Sequence, residues 1–134
     1  MLKLYQKCTR HGEKLLRNAL ERREKAGKED AERLGERMGQ YTTPRPKGAL
    51  IWLHAASVGE SQSALILINR LLQAYPGLNI LVTTGTLTSA KMMEKNLPKQ
   101  AFHQFYPLDH PKWVKSFLDY WSRSNRFVVR AFFG

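Results

Sequence analysis

Three short, nearly continuous apolar runs, at residues 50–54, 78–83 and 101–106, constrain the fold more than any other feature of this chain. Strands covered on both faces look like this, because a parallel sheet has helices on either side of it. The spacing places helices between and after them. One covers 61–75, where Ala64, Leu65, Ile68, Leu71 and Leu72 share a face and Pro76-Gly77 ends it. A second runs from Thr86 or Thr88 to about residue 96 and is broken by Pro98, and a third covers Pro111–Trp121 with proline in its first turn. Alternating strands and helices imply right-handed crossovers and a layered α/β sheet.

Before residue 49 the pattern is different. Residues 1–48 hold 13 of the 22 Lys and Arg and 7 of the 11 Asp and Glu, so this part is polar and helical. Leu15, Leu16, Ala19 and Leu20 space a helix over 13–25, stopped by Gly27, and a shorter helix is expected over 30–38, ended by Gly39. Thr42-Thr43-Pro44-Arg45-Pro46-Lys47-Gly48 reads as an extended linker, since each proline also discourages helix in the residue before it. The expected organisation is a basic helical segment and linker at 1–48, an α/β domain at 49–121 and a separate tail at 122–134.

The chain is 134 residues long and 43% hydrophobic, which suits one globular domain. The single cysteine, Cys8, can form no internal disulfide and fits a reducing compartment. A net charge of +11 points to an anionic partner: nucleic acid, an anionic membrane surface or a phosphorylated small molecule. There is no run of 18 apolar residues, so no membrane span is expected, and the basic start lacks the apolar core of a secretion signal. Lys3, Lys7, Arg10 and Lys14 among Leu2, Leu4 and Tyr5 would let the amino end lie on an anionic bilayer, with His11-Gly12 expected to interrupt a long helix.

Catalytic chemistry is best sought where the first strand ends, at Ala56-Ser57-Val58-Gly59-Glu60. Open α/β sheets bind ligands at the carboxyl ends of their strands. A carboxylate opening the next helix sits at the positive end of its dipole, which favours a base over an acid. Ser57 followed three residues later by Glu60 also fits a capping box, and both readings stand. Thr83-Thr84-Gly85-Thr86 closes the second strand, where amides and hydroxyls beside a glycine form either an anion site or a plain cap. His54 is either a structural histidine or a catalytic one. His103 and His110 lack partners at metal-ligand spacing, so no metal is expected. Gly-x-Gly-x-x-Gly and the phosphate-loop signature are absent, which speaks against a dinucleotide or ATP, and no cofactor is expected. Ser57 lacks the full nucleophile elbow, and Trp52, Trp113 and Trp121 read as core or domain-surface residues.

His54-Ala55-Ala56-Ser57-Val58-Gly59-Glu60-Ser61, Val82-Thr83-Thr84-Gly85-Thr86 and Tyr106-Pro107-Leu108-Asp109 resemble the amino-terminal half of the bacterial 3-deoxy-D-manno-octulosonic acid (Kdo) transferases. Ala26-Gly27-Lys28-Glu29-Asp30 and Arg33-Leu34-Gly35-Glu36-Arg37-Met38-Gly39 match as well, so the resemblance covers roughly residues 15–121. It implies one Rossmann-like half of a GT-B glycosyltransferase, which transfers Kdo from CMP-Kdo to the lipid A precursor at the cytoplasmic face of the inner membrane. It further implies that Glu60 is the general base and that Ser57, Gly59, Thr84, Gly85 and Thr86 bind substrate.

Beyond Trp121 the resemblance is expected to end. The family's second acidic motif does not follow, and the tail carries Arg123, Arg126 and Arg130 with no acid. A truncated, inactive and self-associating product with an unfinished sheet is the expectation, the phenylalanine- and valine-rich tail serving at most as a makeshift strand. The alternatives are a non-functional remnant and a small basic α/β module that binds phosphorylated ligands or nucleic acid. Sparse interleaving of aromatic and basic residues argues against nucleic acid.

Overall fold

The computed structural model describes residues 2–122 and 127–133, with side chains from residue 10 to residue 122. Helix α1 (Leu2–Lys25) and a 3-10 helix (Ala31–Met38) precede a sheet of four parallel strands. These are β1 (Leu50–Ala55), β2 (Asn79–Thr84), β3 (Ala101–Phe105) and β4 (Phe127–Phe133), in the order β3-β2-β1-β4. They are joined by α2 (Val58–Ala74), α3 (Leu87–Asn96) and α4 (Pro111–Trp121).

Side chains alternate along each strand, and so the core has two halves. Leu53, Ala55, Ile80, Val82 and Ala101 meet Ala64, Ile68 and Leu72 of α2 and Met93 of α3. On the opposite side Leu50, Trp52, Leu81 and Phe102 meet Phe117 and Trp121 of α4, with Tyr41 packed beside them. A fully buried side chain such as Ile68 or Phe117 contributes about 1.5–3 kcal/mol relative to exposure.

The chain crosses the sheet from β1 to β3, then returns through α4 to lay β4 on the far side of β1. This is the strand order of one half of a doubly wound fold, and it puts the reversal of direction at the boundary of β1 and β4. The expected three-stranded sheet with an exposed edge is thereby corrected. β4 pairs in parallel with β1 from Leu50 opposite Phe127 to Ala55 opposite Phe133, with a register shift between Leu50 and Ile51. Valine and phenylalanine suit a strand, and the unpaired groups along β1 supply the template. Arg123, Ser124, Asn125 and Arg126 lie outside the described residues.

Helix α1 also departs from expectation by running unbroken through His11 and Gly12. One glycine in a helix interior costs only about 1 kcal/mol, and good helix formers flank it. The helix is docked by buried Leu20 and by Arg17, whose guanidinium lies 5.7 Å from the centre of the Trp113 ring. The basic and apolar side chains of residues 2–9 lie outside those described. The short helix expected over 30–38 is a 3-10 helix, capped by Asp30 and closed by Gly39 at φ 70°. Helix α2 begins at Val58 rather than residue 61, because Ser57 is its cap.

The Pro-rich segment is extended but not loose. Arg45 Nε donates to the Trp121 carbonyl at 2.6 Å and Nη1 to that of Pro46 at 2.7 Å, while Gln104 Nε2 donates to Thr43 Oγ1 at 3.1 Å. Among the described residues no helix is long and apolar enough to cross a membrane.

Candidate active site at the carboxyl end of the sheet

The turns that follow β1, β2 and β3 lie together at the carboxyl end of the sheet, and the first borders the β1/β4 switch point. Two helices start there. At the first, Ser57 Oγ accepts from the Glu60 N–H at 3.2 Å, and Glu60 Oε2 accepts from the Ala56 N–H at 2.7 Å. This is a capping box reaching one residue further back than usual, and it satisfies two donors that the helix start would leave open. It also fixes the half-buried carboxylate over the end of β1. Among the described residues Glu60 Oε1 accepts no hydrogen bond, so one oxygen is held and the other remains to take a proton. Cap and base are therefore compatible in one side chain.

At the second helix start, Thr86 Oγ1 accepts from the Ser89 N–H at 3.2 Å and donates to Ser89 Oγ at 2.9 Å. Thr84 points inward and is fully buried, with its hydroxyl 2.8 Å from His103 Nε2. Ser57, Gly59 and Thr86 are exposed and Gly85 is partly so. Neither glycine has a positive φ, and a Cβ at Gly85 would meet nothing within 4 Å, while one at Gly59 would only touch Ser57 Oγ at 4.0 Å. The fold does not require glycine at either position, which leaves open backbone at two helix starts.

The last two residues of β2 are each held by a histidine, from opposite faces of the sheet. Thr83 Oγ1 accepts from Trp52 Nε1 at 2.8 Å and lies 2.8 Å from His54 Nδ1. Burial pushes the His54 pKa down, against the pull of the nearby Glu60 charge. The His54 ring also packs on Tyr106, 4.8 Å between centres. On the other face His103 is pushed down to about 3, by burial first and then by the Arg33 charge. Both rings are thus neutral at ordinary pH. His110, expected in a turn, caps α4 by accepting from the Lys112 N–H at 3.2 Å. Among the described residues no group of three or more His, Cys, Asp or Glu is placed to hold a metal ion.

Sequence reasoning assigned no role to the 3-10 helix, which builds the third wall. Arg33 pairs with Glu36 at 2.7 and 2.8 Å, donates to the His103 carbonyl at 3.1 Å and also pairs with Glu94. Glu36 Oε1 accepts from the Phe105 N–H at 2.9 Å. Arg37 donates to the Tyr106 carbonyl, and its own carbonyl accepts from the Leu108 N–H at 2.8 Å. These side chains occupy the outer edge of β3 as a neighbouring strand would, and fix the loop after it. The available signal was the charged spacing of Arg33, Glu36 and Arg37, which by itself looks like a solvated face.

The strand order of one half of a doubly wound sheet, with a capped carboxylate near its switch point, defines a Rossmann-like α/β domain with a candidate site at the strand ends. The chain belongs to the 3-deoxy-D-manno-octulosonic-acid transferase (kdotransferase) family, whose glycosyltransferase amino-terminal profile matches residues 32–131. The match therefore extends ten residues past Trp121, where the resemblance was expected to stop, and takes in most of β4. Among curated relatives, the 3-deoxy-D-manno-octulosonic acid transferase of Rickettsia felis is 49% identical over 83 residues, 62% of this chain and 18% of the relative. That of Rickettsia bellii is 43% identical over 95 residues, 71% of this chain and 23% of the relative. A probable mitochondrial 3-deoxy-D-manno-octulosonic acid transferase of Arabidopsis thaliana is 37% identical over 103 residues, 77% and 23% of the two chains. The chain spans about a fifth of the length of these relatives. No solved structure matches it significantly.

Proposed function

We propose that this chain is the acceptor-side domain of a GT-B Kdo transferase, in which Glu60 is the general base. The donor is CMP-Kdo and the acceptor the lipid A precursor, met at the cytoplasmic face of the bacterial inner membrane, with the basic amino end against anionic lipid. Glu60 takes the proton of an acceptor sugar hydroxyl as its oxygen attacks the activated carbon of Kdo. The new carbon–oxygen bond forms as the bond to CMP breaks, and CMP leaves with the electron pair. Ser57 and Gly59 line the approach to Glu60, and Gly85 and Thr86 receive an anionic group of the acceptor, while Thr84, expected to bind substrate but fully buried, is seated beneath them.

The observation that carries this reading is the carboxylate of Glu60, anchored through Oε2 at the carboxyl end of an interior strand with Oε1 left over. A general base needs that combination of a fixed position and a spare lone pair within hydrogen-bond reach of the hydroxyl. Open backbone at Gly59 and Gly85 adds to it, since a ligand can approach where a side chain would stand.

The test joins residues 1–134 to the remaining four fifths of the Rickettsia felis relative and assays Kdo transfer from CMP-Kdo to the lipid A precursor. Glu60→Gln keeps the shape and the acceptor for Ala56 but removes the base, so transfer should fall about a hundredfold or more. Activity within a few-fold of the parent would leave Glu60 as a cap and nothing more.

A further inference from the structure

The buried pair His103 and Thr84 has no place in the chemistry above, yet it ends on one of the turns that chemistry uses. His103 is 7% exposed and Thr84 fully buried. His103 Nδ1 lies 3.0 Å from Arg33 Nη2, and Nε2 lies 2.8 Å from Thr84 Oγ1. A guanidinium nitrogen only donates, so Nδ1 must carry the lone pair and the ring proton must sit on Nε2. Nε2–H then donates to Thr84, which fixes the threonine oxygen as the acceptor of that bond. Arg33 is itself fixed by Glu36, Glu94 and the His103 carbonyl. An unbroken series of directed bonds thus runs from the 3-10 helix, across the edge strand, to the last residue of β2.

Thr84 is followed by Gly85, where a Cβ would meet nothing within 4 Å, and then by Thr86, whose bonds run to Ser89 and Ala90 within its own helix. At Thr84 the carbonyl accepts from the Tyr106 N–H at 2.9 Å as part of the sheet, and the hydroxyl adds a second tie, to His103, that fixes the side chain beneath the turn. We propose that His103 is a positioning residue: with its tautomer set by Arg33, it holds Thr84, and through it the Thr84-Gly85-Thr86 turn, in the geometry that receives an anionic group of the sugar acceptor. The inference rests on the acceptor reading of that turn and is independent of what Glu60 does.

In the chimera, His103→Phe and Thr84→Val should each raise the KM for the lipid A precursor about tenfold with kcat within about twofold, the mark of binding lost equally from ground and transition states. His103→Gln, whose amide can again donate to Thr84, should recover most of the loss. A role confined to stability would lower the melting temperature and leave KM where it was, and that result overturns the proposal. Should His103→Phe not fold, Thr84→Val decides, since valine keeps the branched shape and drops only the hydroxyl. Glu60→Gln reports separately, on kcat, so failure of the base assignment and failure of this one are distinguishable. The tautomer is read from the 15N shifts of His103 in residues 1–134 alone, and an Nδ1–H ring would overturn the proposal whatever the kinetics.

Discussion

His103 makes the stability of the fold depend on pH. Its ordinary pKa is 6.5 and in the folded chain burial and the Arg33 charge bring it to about 3. Above about pH 6.5 neither state binds the proton and the group contributes its full stability. As pH falls from there toward 3, the unfolded chain takes the proton and the folded chain does not, so stability is lost by up to about 1.4 kcal/mol per pH unit. The burial of His54 acts in the same direction. Thermal melting between pH 7 and pH 4 should show this decline, and His103→Gln should flatten it; parallel curves for parent and variant would mean that another group governs the acid limb. Glu60 and the flanking Ser57 were legible as residues, because a hydroxyl and a carboxylate three apart at a strand end are informative by spacing alone. The histidine clamps on Thr83 and Thr84 were not. They depend on strand register, His54 opposite Thr83 and His103 two residues before Phe105, which is itself opposite Thr84, and a linear sequence carries register only through the sheet it forms.

Among the elements, those with strong periodicity were read with bounds correct to a few residues. β1, β2, β3 and α4 fall where apolar runs and Pro111 put them, and errors concentrate at ends such as the start of α2, where a cap decides the boundary. The 3-10 helix was located but its work was hidden, since its contacts are with residues some seventy positions away. Its seating on α4 depends on Gly39. At φ 70° that residue is in the left-handed region, and a Cβ there would fall 2.7 Å from the Trp113 carbonyl oxygen and 2.9 Å from Ser116 Cβ. Gly39→Ala therefore meets both backbone strain and a clash with main chain that cannot swing aside. We expect a loss of about 1–3 kcal/mol in denaturant unfolding, with the loop after β3 loosened in hydrogen exchange. An unchanged midpoint would show that the 3-10 helix docks without its glycine closure.

For the whole molecule, the tail changes the account most. The expected end of the resemblance at Trp121 set residues 122–134 apart from the domain, yet Phe127–Phe133 completes a sheet in which β1 is interior. Removing residues 123–134 should uncover the edge of β1 and the adjoining apolar surface, and increase self-association relative to residues 1–134 in sedimentation experiments. If the shortened chain stays monomeric and melts cooperatively, β4 is dispensable. The pairing of Leu50 with Phe127 has a further consequence for how the molecule comes into being. β1, β2 and β3 can meet while the chain is still being made, each joined by one local crossover, but the partner on the other flank of β1 is made after all three. Closing that long a loop is slow relative to local contacts. The strand beside the β1–α2 turn is consequently the last of these four to be laid down, and until then the nascent chain carries Glu60 next to an open edge.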